Sequence, residues 1–309
     1  MKNSKIFVTG AAGFIGSRLI RKLLDNGYFC YGIDDLSVGK DKPRKHSSVR
    51  FQVEDICNKK GIEKIFRTFK PEIVVHLAAI HHIPTCEKNG TKALGVNVIG
   101  LQAILDSLNG VGCERFILAS SGAVYDWMPG FLKEDKTPLN ARDIYSISKI
   151  TNENQLSAWV KKTGCKGVVA RIFNTIGRND PNGHLIPDIL KQLKTSNKIN
   201  KVKLGNTQSR RDYIHVNDTV NGLYAMVTTE NLKEPVEIFN IGTGIEYGVL
   251  EVLDFIAKAK GYPYKVKIDP SRVRNEDRRS QIADISKAMA FLQWKPEMSL
   301  GEAIQEIVL

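Results

Sequence analysis

Short apolar runs alternate with amphipathic stretches along the first half of this chain, and this alternation limits the folds that are open to it. Apolar runs bounded by turn residues indicate buried strands, and apolar residues spaced three and four apart indicate helices. Strands separated by helices form βαβ units, which assemble into a parallel sheet with helices on both faces. The strands are predicted at 5–9, 28–33, 49–53, 73–77, 115–119 and 167–172, and the helices at 14–26, 58–69, 91–109 and 144–163.

The pattern becomes irregular after residue 175, where a helix at 184–195 precedes a strand at 236–242 and a helix at 248–260. We therefore predict an α/β fold, with a Rossmann-like, doubly wound parallel sheet and a smaller C-terminal lobe that binds substrate. The sheet domain is predicted at 1–175 with a return segment at about 212–245, and the lobe at 176–211 and 246–309.

Composition favours a folded, cytoplasmic protein. The 309 residues are 42% hydrophobic, but no apolar run reaches the roughly 18 residues of a membrane span, and we expect neither a span nor a signal peptide. The five cysteines are scattered without a C-x-x-C pair, so we expect no metal site. The net charge of +12 is spread along the chain, and the basic clusters at 40–45 and 271–279 are not interleaved with aromatic residues. We therefore expect neither a nucleic-acid nor a membrane partner.

The stretch KIFVTGAAGFIG at 5–16 joins the first predicted strand to the first helix through Gly10, Gly13 and Gly16. Glycines at such a turn let the main chain approach a pyrophosphate, and the helix N-terminus offers unpaired N–H groups. A tight turn without a ligand would also need glycines. Asp34 favours the first interpretation, because it ends the second strand about 20 residues on, where a carboxylate binds an adenosine ribose and repels a 2′-phosphate. The stretch therefore predicts NAD binding rather than NADP binding.

A second candidate site lies in YSISK, where Tyr145 and Lys149 are four residues apart on a predicted helix and share one of its faces. A phenol with a pKa near 10 is a poor base at neutral pH. An ammonium at roughly 4 Å contributes about 4 kcal/mol at an effective dielectric near 20, which is on the order of three pKa units. We therefore expect Lys149 to lower the pKa of Tyr145 and to make it a proton acceptor.

With these features together, the chain resembles the extended short-chain dehydrogenase/reductase family, in its NAD-dependent sugar-nucleotide epimerase/dehydratase branch. The matching motifs run nearly from end to end of the chain: TGAAGFIG, DDLSVGK, HLAA, NVIG, SSGAVY, YSISK, RIFNTIG, RRDYIHVND, FNIGTG and DPSRVRNED. So long an ordered series is specific for the family and much less specific for the reaction.

The resemblance implies roles for individual residues. For NAD it implies contacts from Gly10, Gly13, Phe14, Ile15, Gly16, Asp34, Asp55, Ile56, Leu77, Ala78, Ala79, Tyr145 and Lys149. For catalysis it implies Ser121, Tyr145 and Lys149. For the substrate it implies Ser121, Asn174, Arg211 and Arg274. Arginine suits a diphosphate because its planar fork binds phosphate oxygens bidentately.

Two positions within SSGAVY bear on the reaction. The family's 4,6-dehydratases resemble one another in an Asp-Glu pair after the catalytic Ser or Thr, since eliminating water needs a second acid and base. Here these positions hold Gly122 and Ala123, which cannot transfer protons. The resemblance therefore implies epimerisation at C4 of a nucleotide-diphosphate sugar, with a UDP-sugar favoured. The reaction would pass through a 4-keto sugar, with Ser121 bonding the oxygen that Tyr145 deprotonates.

Alternative functions remain open at this stage. Asp126 stands where the family has glycine, and DPSRVR also resembles reductases of keto sugars. An NAD(P)H-dependent reductase, a decarboxylase or a dehydratase acting on a nucleotide sugar is therefore an alternative. A cofactor-bound regulator or an RNA-binding protein would agree with the charge of +12. Such a protein has no need of Ser121, Tyr145 and Lys149 together.

By resemblance, the predicted helices at 91–109 and 144–163 join two copies of the chain into a homodimer. Helices that cover the sheet within a single chain would show the same apolar faces. The sugar itself is not readable from the motifs, because specificity depends on the pocket volume around residues such as Ala79, His81 and Thr175.

Overall fold

The computed structural model describes residues 4–181, 183–273 and 277–309. Its strands are β1 (Lys5–Thr9), β2 (Phe29–Asp34), β3 (Val49–Val53), β4 (Ile73–His76), β5 (Arg115–Ser121), β6 (Phe131–Leu132), β7 (Lys166–Ile172), β8 (Asn174–Ile176), β9 (Asn200–Leu204), β10 (Arg210–His215), β11 (Val236–Ile241), β12 (Glu246–Gly248), β13 (Tyr264–Ile268) and β14 (Ile282–Ala283). Its helices are α1 (Gly16–Asp25), α2 (Lys59–Phe69), α3 (Ile83–Lys88), α4 (Gly90–Leu94), α5 (Gly100–Ser107), α6 (Ile144–Thr163), α7 (Leu185–Gln192), α8 (Val216–Thr228), α9 (Val249–Lys260), α10 (Ser286–Leu292) and α11 (Leu300–Val308). A π-helical turn, Gly95–Ile99, joins α4 to α5. Among the helices described, none is long and apolar enough to cross a membrane.

Seven strands form one sheet in the order β3-β2-β1-β4-β5-β7-β11, and every neighbouring pair is parallel. These are the seven strands predicted from the sequence, each within two residues of its expected ends. The chain builds outward from β1 to β3 and then returns to β4 on the other side of β1. Such a reversal opens a crevice at the carboxyl ends of the two central strands, where α/β folds bind ligands. The predicted fold class is confirmed.

Alternate residues of each strand face opposite sides of the sheet, and helices cover both sides. On β1, Ile6 and Val8 pack with α1 and α8, whereas Phe7 between them packs with α2 and α5. Helix α8 was not predicted, because its sequence VNDTVNGLYAMVT is rich in residues of low helix propensity. Burial of its apolar face against α1, rather than propensity, accounts for this helix.

Helix α6 carries the YSISK residues in its first two turns, and a capping box fixes where it begins. The Asp143 carboxylate accepts from the main-chain N–H of Ser146 at 2.8 Å, and the Ser146 hydroxyl accepts from the N–H of Asp143 at 3.2 Å. The helix ends at Thr163 and is followed by the cap residue Gly164, whose φ of 75° is the left-handed conformation that favours glycine. The box therefore places Tyr145 at the second helical position, next to the end of β5.

A separate apolar cluster lies outside the large sheet. It is formed mainly by α7, β9, α9 and α11, and its central side chains are Ile189, Val202, Ile256 and Ile304. Strands β9 and β13 form a two-stranded parallel sheet beside it, and β8, β10 and β12 form a three-stranded sheet. The predicted domain boundaries stay a prediction. Trp294, within the expected lobe, packs in the core of the large sheet.

Candidate active site

The loop between β1 and α1 is packed too tightly for a residue larger than glycine at two of its three glycine positions. Gly10 has a φ of +68°, and a Cβ there would lie 2.9 Å from the main-chain nitrogen of Ala78. A Cβ on Gly16 would lie 2.1 Å from the carbonyl oxygen of Gly10. Gly13 is less constrained, since its Cβ would lie 3.1 Å from the same oxygen. The expected turn is therefore present, and the main chain after β4 lies directly beside it.

The N-terminus of α1 is open to an anion. Ile15 gives it no side-chain cap, and no acidic residue stands in its first turn. The first N–H groups therefore keep their partial positive charge. The guanidinium of Arg18 lies over the Phe14 ring, 4.7 Å from its centre. Together with the glycine loop, this helix end fits the pyrophosphate of a dinucleotide.

Asp34 ends β2 against the glycine loop. Its carboxylate accepts from the N–H of Ala12 at 3.0 Å and from the N–H of Leu36 at 2.8 Å. Burial raises the pKa of Asp34, while these two hydrogen bonds lower it. Because a carboxylate offers about four acceptor positions, Asp34 can hold the loop and still accept from a ribose hydroxyl.

Asp55 and Ile56 follow β3, the neighbour of β2. The N–H of Glu54 donates to the carbonyl oxygen of Asp34 at 3.1 Å, which brings the two strand ends together. Asp55 is exposed, and its carboxylate accepts from the N–H of Cys57 at 2.8 Å. Ile56 is buried against Gly100, and a Cβ added to Gly100 would lie 2.6 Å from the Ile56 side chain. The structure thus groups Asp34, Asp55 and Ile56 at one edge of the crevice.

Thr9 joins the ends of β1 and β4 through its hydroxyl. The hydroxyl oxygen accepts from the N–H groups of Leu77 and Ala78, both at 3.1 Å, and lies 3.0 Å from Nδ1 of His76. Burial lowers the pKa of His76 to about 3, with Lys149 acting in the same direction, so this ring is neutral. Because the Thr9 oxygen already accepts from two N–H groups, its own proton is directed at Nδ1 of the neutral ring. Sequence reasoning did not find this contact, which holds Leu77–Ala79 against the glycine loop.

The three residues expected to be catalytic come together at the end of β5. Ser121 closes the strand, and its hydroxyl oxygen accepts from the N–H of Ala123 at 3.1 Å. Tyr145, in the first turn of α6, lies close enough to Ser121 for this side chain to lower its pKa. The Lys149 ammonium lies 5.7 Å from the centre of the Tyr145 ring and donates to the carbonyl oxygen of Ala119 at 2.7 Å. Tyr145 is crowded by protein but keeps some contact with solvent, as expected for the wall of a cleft.

The expectation that Lys149 lowers the pKa of Tyr145 is wrong for the protein without ligands. Burial raises the pKa of Tyr145 to about 12, and the hydrogen bond with Ser121 offsets this only in part. Burial also lowers the pKa of Lys149 to about 8, against the attraction of Glu153. The ammonium is itself destabilised by burial and is directed at a carbonyl oxygen rather than at the phenol oxygen. Tyr145 is therefore a protonated phenol at neutral pH before ligands bind.

A buried ion pair lies one turn beyond Lys149 on α6. Both carboxylate oxygens of Glu153 accept from Arg171, at 3.0 Å from Nε and 2.7 Å from Nη2. The Ser120 hydroxyl donates to the same carboxylate at 2.5 Å. Sequence reasoning missed this pair, although Glu153 stands four residues after Lys149 on the same face.

Asn97, from the NVIG motif, sits in the π-helical turn and is 1% exposed. Its amide donates to the carbonyl oxygen of Ile80 at 2.9 Å and to the Ser148 hydroxyl at 3.0 Å, and accepts from the N–H of Ile80 at 2.8 Å. The side chain thereby ties the loop after β4 to α6. π-helical turns occur frequently at functional sites.

The expected substrate residues Asn174 and Arg211 lie together on the paired strands β8 and β10. Asn174 donates to the carbonyl oxygen of Asp212 at 3.1 Å. Arg211 donates to the carboxylate of Asp277 at 2.8 Å and to the carbonyl oxygen of Arg278 at 2.6 Å. These contacts hold the guanidinium in one orientation. Arg274, the third expected residue, lies outside the described residues.

Side chains pack closely around the residue after Ser121. A Cβ on Gly122 would lie 2.9 Å from the Gln281 amide nitrogen and 3.1 Å from the Phe173 ring. An acidic residue at this position would require Gln281 and Phe173 to move. The packing therefore agrees with the absence of the dehydratase acid–base pair.

Three histidines lie close together where the loop after β4 meets the segment before α7. The His184 ring centre lies 6.0 Å from that of His81 and 5.9 Å from that of His82, and its Nδ1 lies 3.0 Å from the Asp180 carboxylate. Crowding by protein lowers the pKa of His81 to about 4, and His184 contributes in the same direction. Across the residues that the structure describes, no group of three or more His, Cys, Asp or Glu is arranged to hold a metal ion.

Comparisons with known proteins agree with this geometry. The sequence profile of the "NAD dependent epimerase/dehydratase family" matches residues 6–242. The UDP-glucose 4-epimerase of Mycolicibacterium smegmatis is 30% identical, with 98% of this chain and 97% of that protein covered. The Thermotoga maritima UDP-glucose 4-epimerase, solved with UDP-glucose, is 28% identical with a TM-score of 0.88, covering 98% of this chain and 97% of that one. The Bacillus cereus UDP-glucuronic acid 4-epimerase, solved with UDP-glucuronic acid and NAD, is 26% identical with a TM-score of 0.87, covering 98% of both chains. As its motifs predicted, the chain belongs to the NAD-dependent epimerase/dehydratase family, within the extended short-chain dehydrogenases/reductases.

Proposed function

We propose that this protein is an NAD-dependent epimerase that inverts C4 of a nucleotide-diphosphate sugar, with a UDP-sugar as substrate. The observation that carries the proposal is the placement of Tyr145 beside Ser121, with Lys149 one turn further along the same helix. The trio offers a proton acceptor, a hydrogen-bond partner for the same oxygen and a cation, which suits reversible oxidation of a secondary alcohol. UDP-sugar epimerases of similar sequence and fold support the same reaction.

NAD is the cofactor that we propose for the crevice between β1 and β4. The glycine loop and the open end of α1 would hold its pyrophosphate, in a cradle that a Cβ on Gly10 or Gly16 would obstruct. Asp34 would bind the adenosine ribose. When bound, NAD+ supplies a hydride acceptor for C4 and positive charge at the nicotinamide ring. The further contacts that we propose are Gly13, Phe14, Ile15, Asp55, Ile56, Leu77, Ala78, Ala79, Tyr145 and Lys149.

Tyr145 takes the proton of the sugar 4-hydroxyl in this proposal. Ser121 donates to the same oxygen, since its own oxygen accepts from the N–H of Ala123 and its hydroxyl can turn its proton toward the substrate. A phenol with a pKa near 12 becomes a base only when positive charge stands near it, and Lys149 supplies part of that charge. Epimerisation has no net redox change, so one bound cofactor serves successive turnovers.

We propose that Asn174, Arg211 and Arg274 bind the substrate diphosphate. Arg211 supports this role because Asp277 and neighbouring carbonyl oxygens fix its fork before the ligand arrives. The sugar would contact the crevice wall that includes Ala79, His81 and Thr175. The relatives of similar fold accept UDP-glucose or UDP-glucuronic acid, and we propose the same class of substrate here.

We further propose a homodimer that forms through α5 and α6 and the π-helical turn. Ile99 is 62% exposed and Ile147 is 42% exposed, although both side chains are large and apolar.

A cytoplasmic location is also proposed. It is supported by the five cysteines, which are all free, as is typical of a reducing compartment.

Proton NMR of the purified protein with UDP-glucose, UDP-N-acetylglucosamine or UDP-glucuronic acid, without added cofactor, tests the reaction. We expect the anomeric signals of the galacto epimer to appear from at least one substrate. Loss of carbon dioxide to give a pentose would instead identify a decarboxylase. A protein that demonstrably contains NAD and converts none of the three would contradict the proposal for these substrates.

Tyr145→Phe is the control for the chemistry. Removing one hydroxyl should lower kcat about 10²–10⁴-fold, the usual contribution of a general acid–base group, and leave bound NAD in place. Turnover at the wild-type rate would rule out Tyr145 as the proton acceptor.

A further inference from the structure

Arg278 is a buried cation that closes the turn after Ser121. The residue is 5% exposed and lies just before β14. Its Nη1 donates to the carbonyl oxygen of Gly122 at 3.1 Å, and its Nη2 donates to that of Tyr125 at 3.0 Å and to that of Asp126. One guanidinium therefore holds three carbonyl groups of the segment that begins next to the catalytic serine.

The main chain of Arg278 contacts Arg211, the residue that is expected to bind the substrate diphosphate. The carbonyl oxygen of Arg278 accepts from Nη1 of Arg211 at 2.6 Å. The preceding residue, Asp277, accepts from Nη2 of Arg211 at 2.8 Å. Residues 277–278 thus contact Arg211 on one side and, through the Arg278 side chain, the turn at 122–126 on the other.

Packing alone does not account for an arginine here. Among the residues that the structure describes, the Nε of Arg278 is buried without a hydrogen-bond partner, and burial lowers the pKa of the residue to about 10, with Arg211 acting in the same direction. The guanidinium stays charged at neutral pH, although an apolar side chain would avoid the burial of charge. What the charge provides at this position is a set of directed hydrogen bonds to the turn.

The turn that Arg278 holds also orients the serine hydroxyl. Ser121 accepts from the N–H of Ala123, and Ala123 lies between two of the residues whose carbonyl oxygens Arg278 binds. A shift of this turn would move the hydroxyl relative to Tyr145. A misplacement of about 1 Å can lower a rate about 100-fold.

We propose that Arg278 is a positioning residue whose side chain sets the place of Ser121 for the reaction, while its main chain helps to set the place of Arg211 for binding. This inference rests on the proposed function. It predicts that the two roles separate when the side chain alone is changed. A change of the Arg278 side chain should therefore lower kcat. A change of Asp277, which contacts Arg211 together with the Arg278 main chain, should instead lower the affinity for the diphosphate.

The first test compares kcat with the affinity for UDP, measured by calorimetry. We expect Arg278→Met to lower kcat at least about tenfold and to leave the Kd for UDP within about twofold. Arg278→Lys, which keeps the charge and part of the hydrogen bonding, should give an intermediate kcat. Asp277→Asn should weaken UDP binding more than it lowers kcat. The neighbouring Arg279→Met is the matched control, because Arg279 is exposed, and it should change neither quantity.

The second test does not depend on turnover. Hydrogen exchange of the peptide covering 121–126 should be faster in Arg278→Met than in the wild type and in Arg279→Met. If the Met variant does not fold, Arg278→Lys gives the same comparison. An unchanged kcat, a parallel loss of kcat and UDP affinity, or unchanged exchange in this peptide would overturn the proposal. A wild type that epimerises no UDP-sugar would refute the proposed function alone, and the exchange measurement would still decide the role of Arg278.

Discussion

The two sides of the candidate site are built by different means. On the β1 side, the glycine loop is shaped by main-chain atoms in close contact, and a single methyl group on Gly16 would collide with the Gly10 carbonyl oxygen. On the β5–α6 side, buried polar and charged side chains determine the geometry, above all Glu153 and Arg171. Substitutions on the β1 side should therefore act through the volume of the new side chain, and substitutions on the β5–α6 side through its charge.

Glu153→Gln should have the largest effect on stability. The substitution keeps the shape of the side chain but leaves Arg171, which is 2% exposed, without its counter-ion. Breaking a buried pair from one side costs about 3–5 kcal/mol of the free energy of unfolding. Glu63→Gln on α2, where the pairs with Lys59 and Arg67 are exposed at 4.0 and 3.8 Å, should cost less than about 1 kcal/mol. If urea unfolding showed equal losses of stability for Glu153→Gln and Glu63→Gln, the β5–α6 side would not be especially sensitive to charge.

Gly16→Ala tests the sensitivity of the β1 side to volume. Because the new Cβ would lie 2.1 Å from a main-chain oxygen, we expect a loss of about 3 kcal/mol or more, together with loss of bound NAD. Gly95→Ala is the matched control, since a Cβ there would meet no atom of the described residues within 4 Å, and it should be neutral or slightly stabilising. Thermal unfolding and the absorbance of retained cofactor measure both variants. Similar behaviour of the two would mean that the loop can relax around a methyl group.

The pH dependence of stability should show the buried charge of Lys149. Its pKa falls from 10.5 to about 8 on folding, so between these values the unfolded chain binds more protons at this position than the folded chain. Stability therefore rises with pH across this window, by at most about 3.5 kcal/mol, relative to Lys149→Met. Below about pH 8 the difference between the two proteins should be flat. Denaturant unfolding at several pH values measures the difference in the free energy of unfolding between the two proteins. If the wild type lost stability relative to Lys149→Met as the pH rises from 8 to 10.5, the prediction would be wrong.

Asp34→Asn should have the smallest effect. An amide can accept from only one of the two N–H groups that the carboxylate holds, and we expect NAD binding to weaken by about 1–2 kcal/mol. Binding of NADP should weaken less, because the repulsion of its 2′-phosphate is removed. Asp35→Asn, at the exposed neighbouring position, is the control. If both variants change NAD and NADP affinity equally, Asp34 does not select between the cofactors.

The parts of the fold that follow from local pattern were predictable. The seven strands of the large sheet and the helices α1, α2, α6, α7 and α9 carry clear apolar runs and appear within a few residues of their expected ends. Helix α8 and the short strands β8, β10 and β12 were not predicted, because long-range contacts rather than their own composition stabilise them. The predicted single helix at 91–109 is divided by a π-helical turn that the sequence pattern does not reveal.

The site was predictable where one motif supplies a whole contact set. Gly10, Gly16 and Asp34 are such a case, since they stand within one βαβ unit. The contacts of Arg211 with Asp277 and Arg278 join segments 66 and 67 residues apart, which no local pattern reveals. The direction of the Tyr145 pKa shift was predicted wrongly, because spacing on a helix gives the distance to a cation but not the cost of burying a phenol.

The π-helical turn near Asn97 has a consequence for the helix that it packs against. An extra residue in a helical turn leaves main-chain carbonyl groups without their usual partners. In this turn the carbonyl oxygens of Asn97 and Val98 accept from the side-chain amides of Asn152 and Gln155 on α6, at 2.8 and 3.1 Å. These two bonds prevent α6 from sliding along its own axis. The extra residue in the π-helical turn thus helps to fix the position of α6 along its axis, and with it the position of Tyr145.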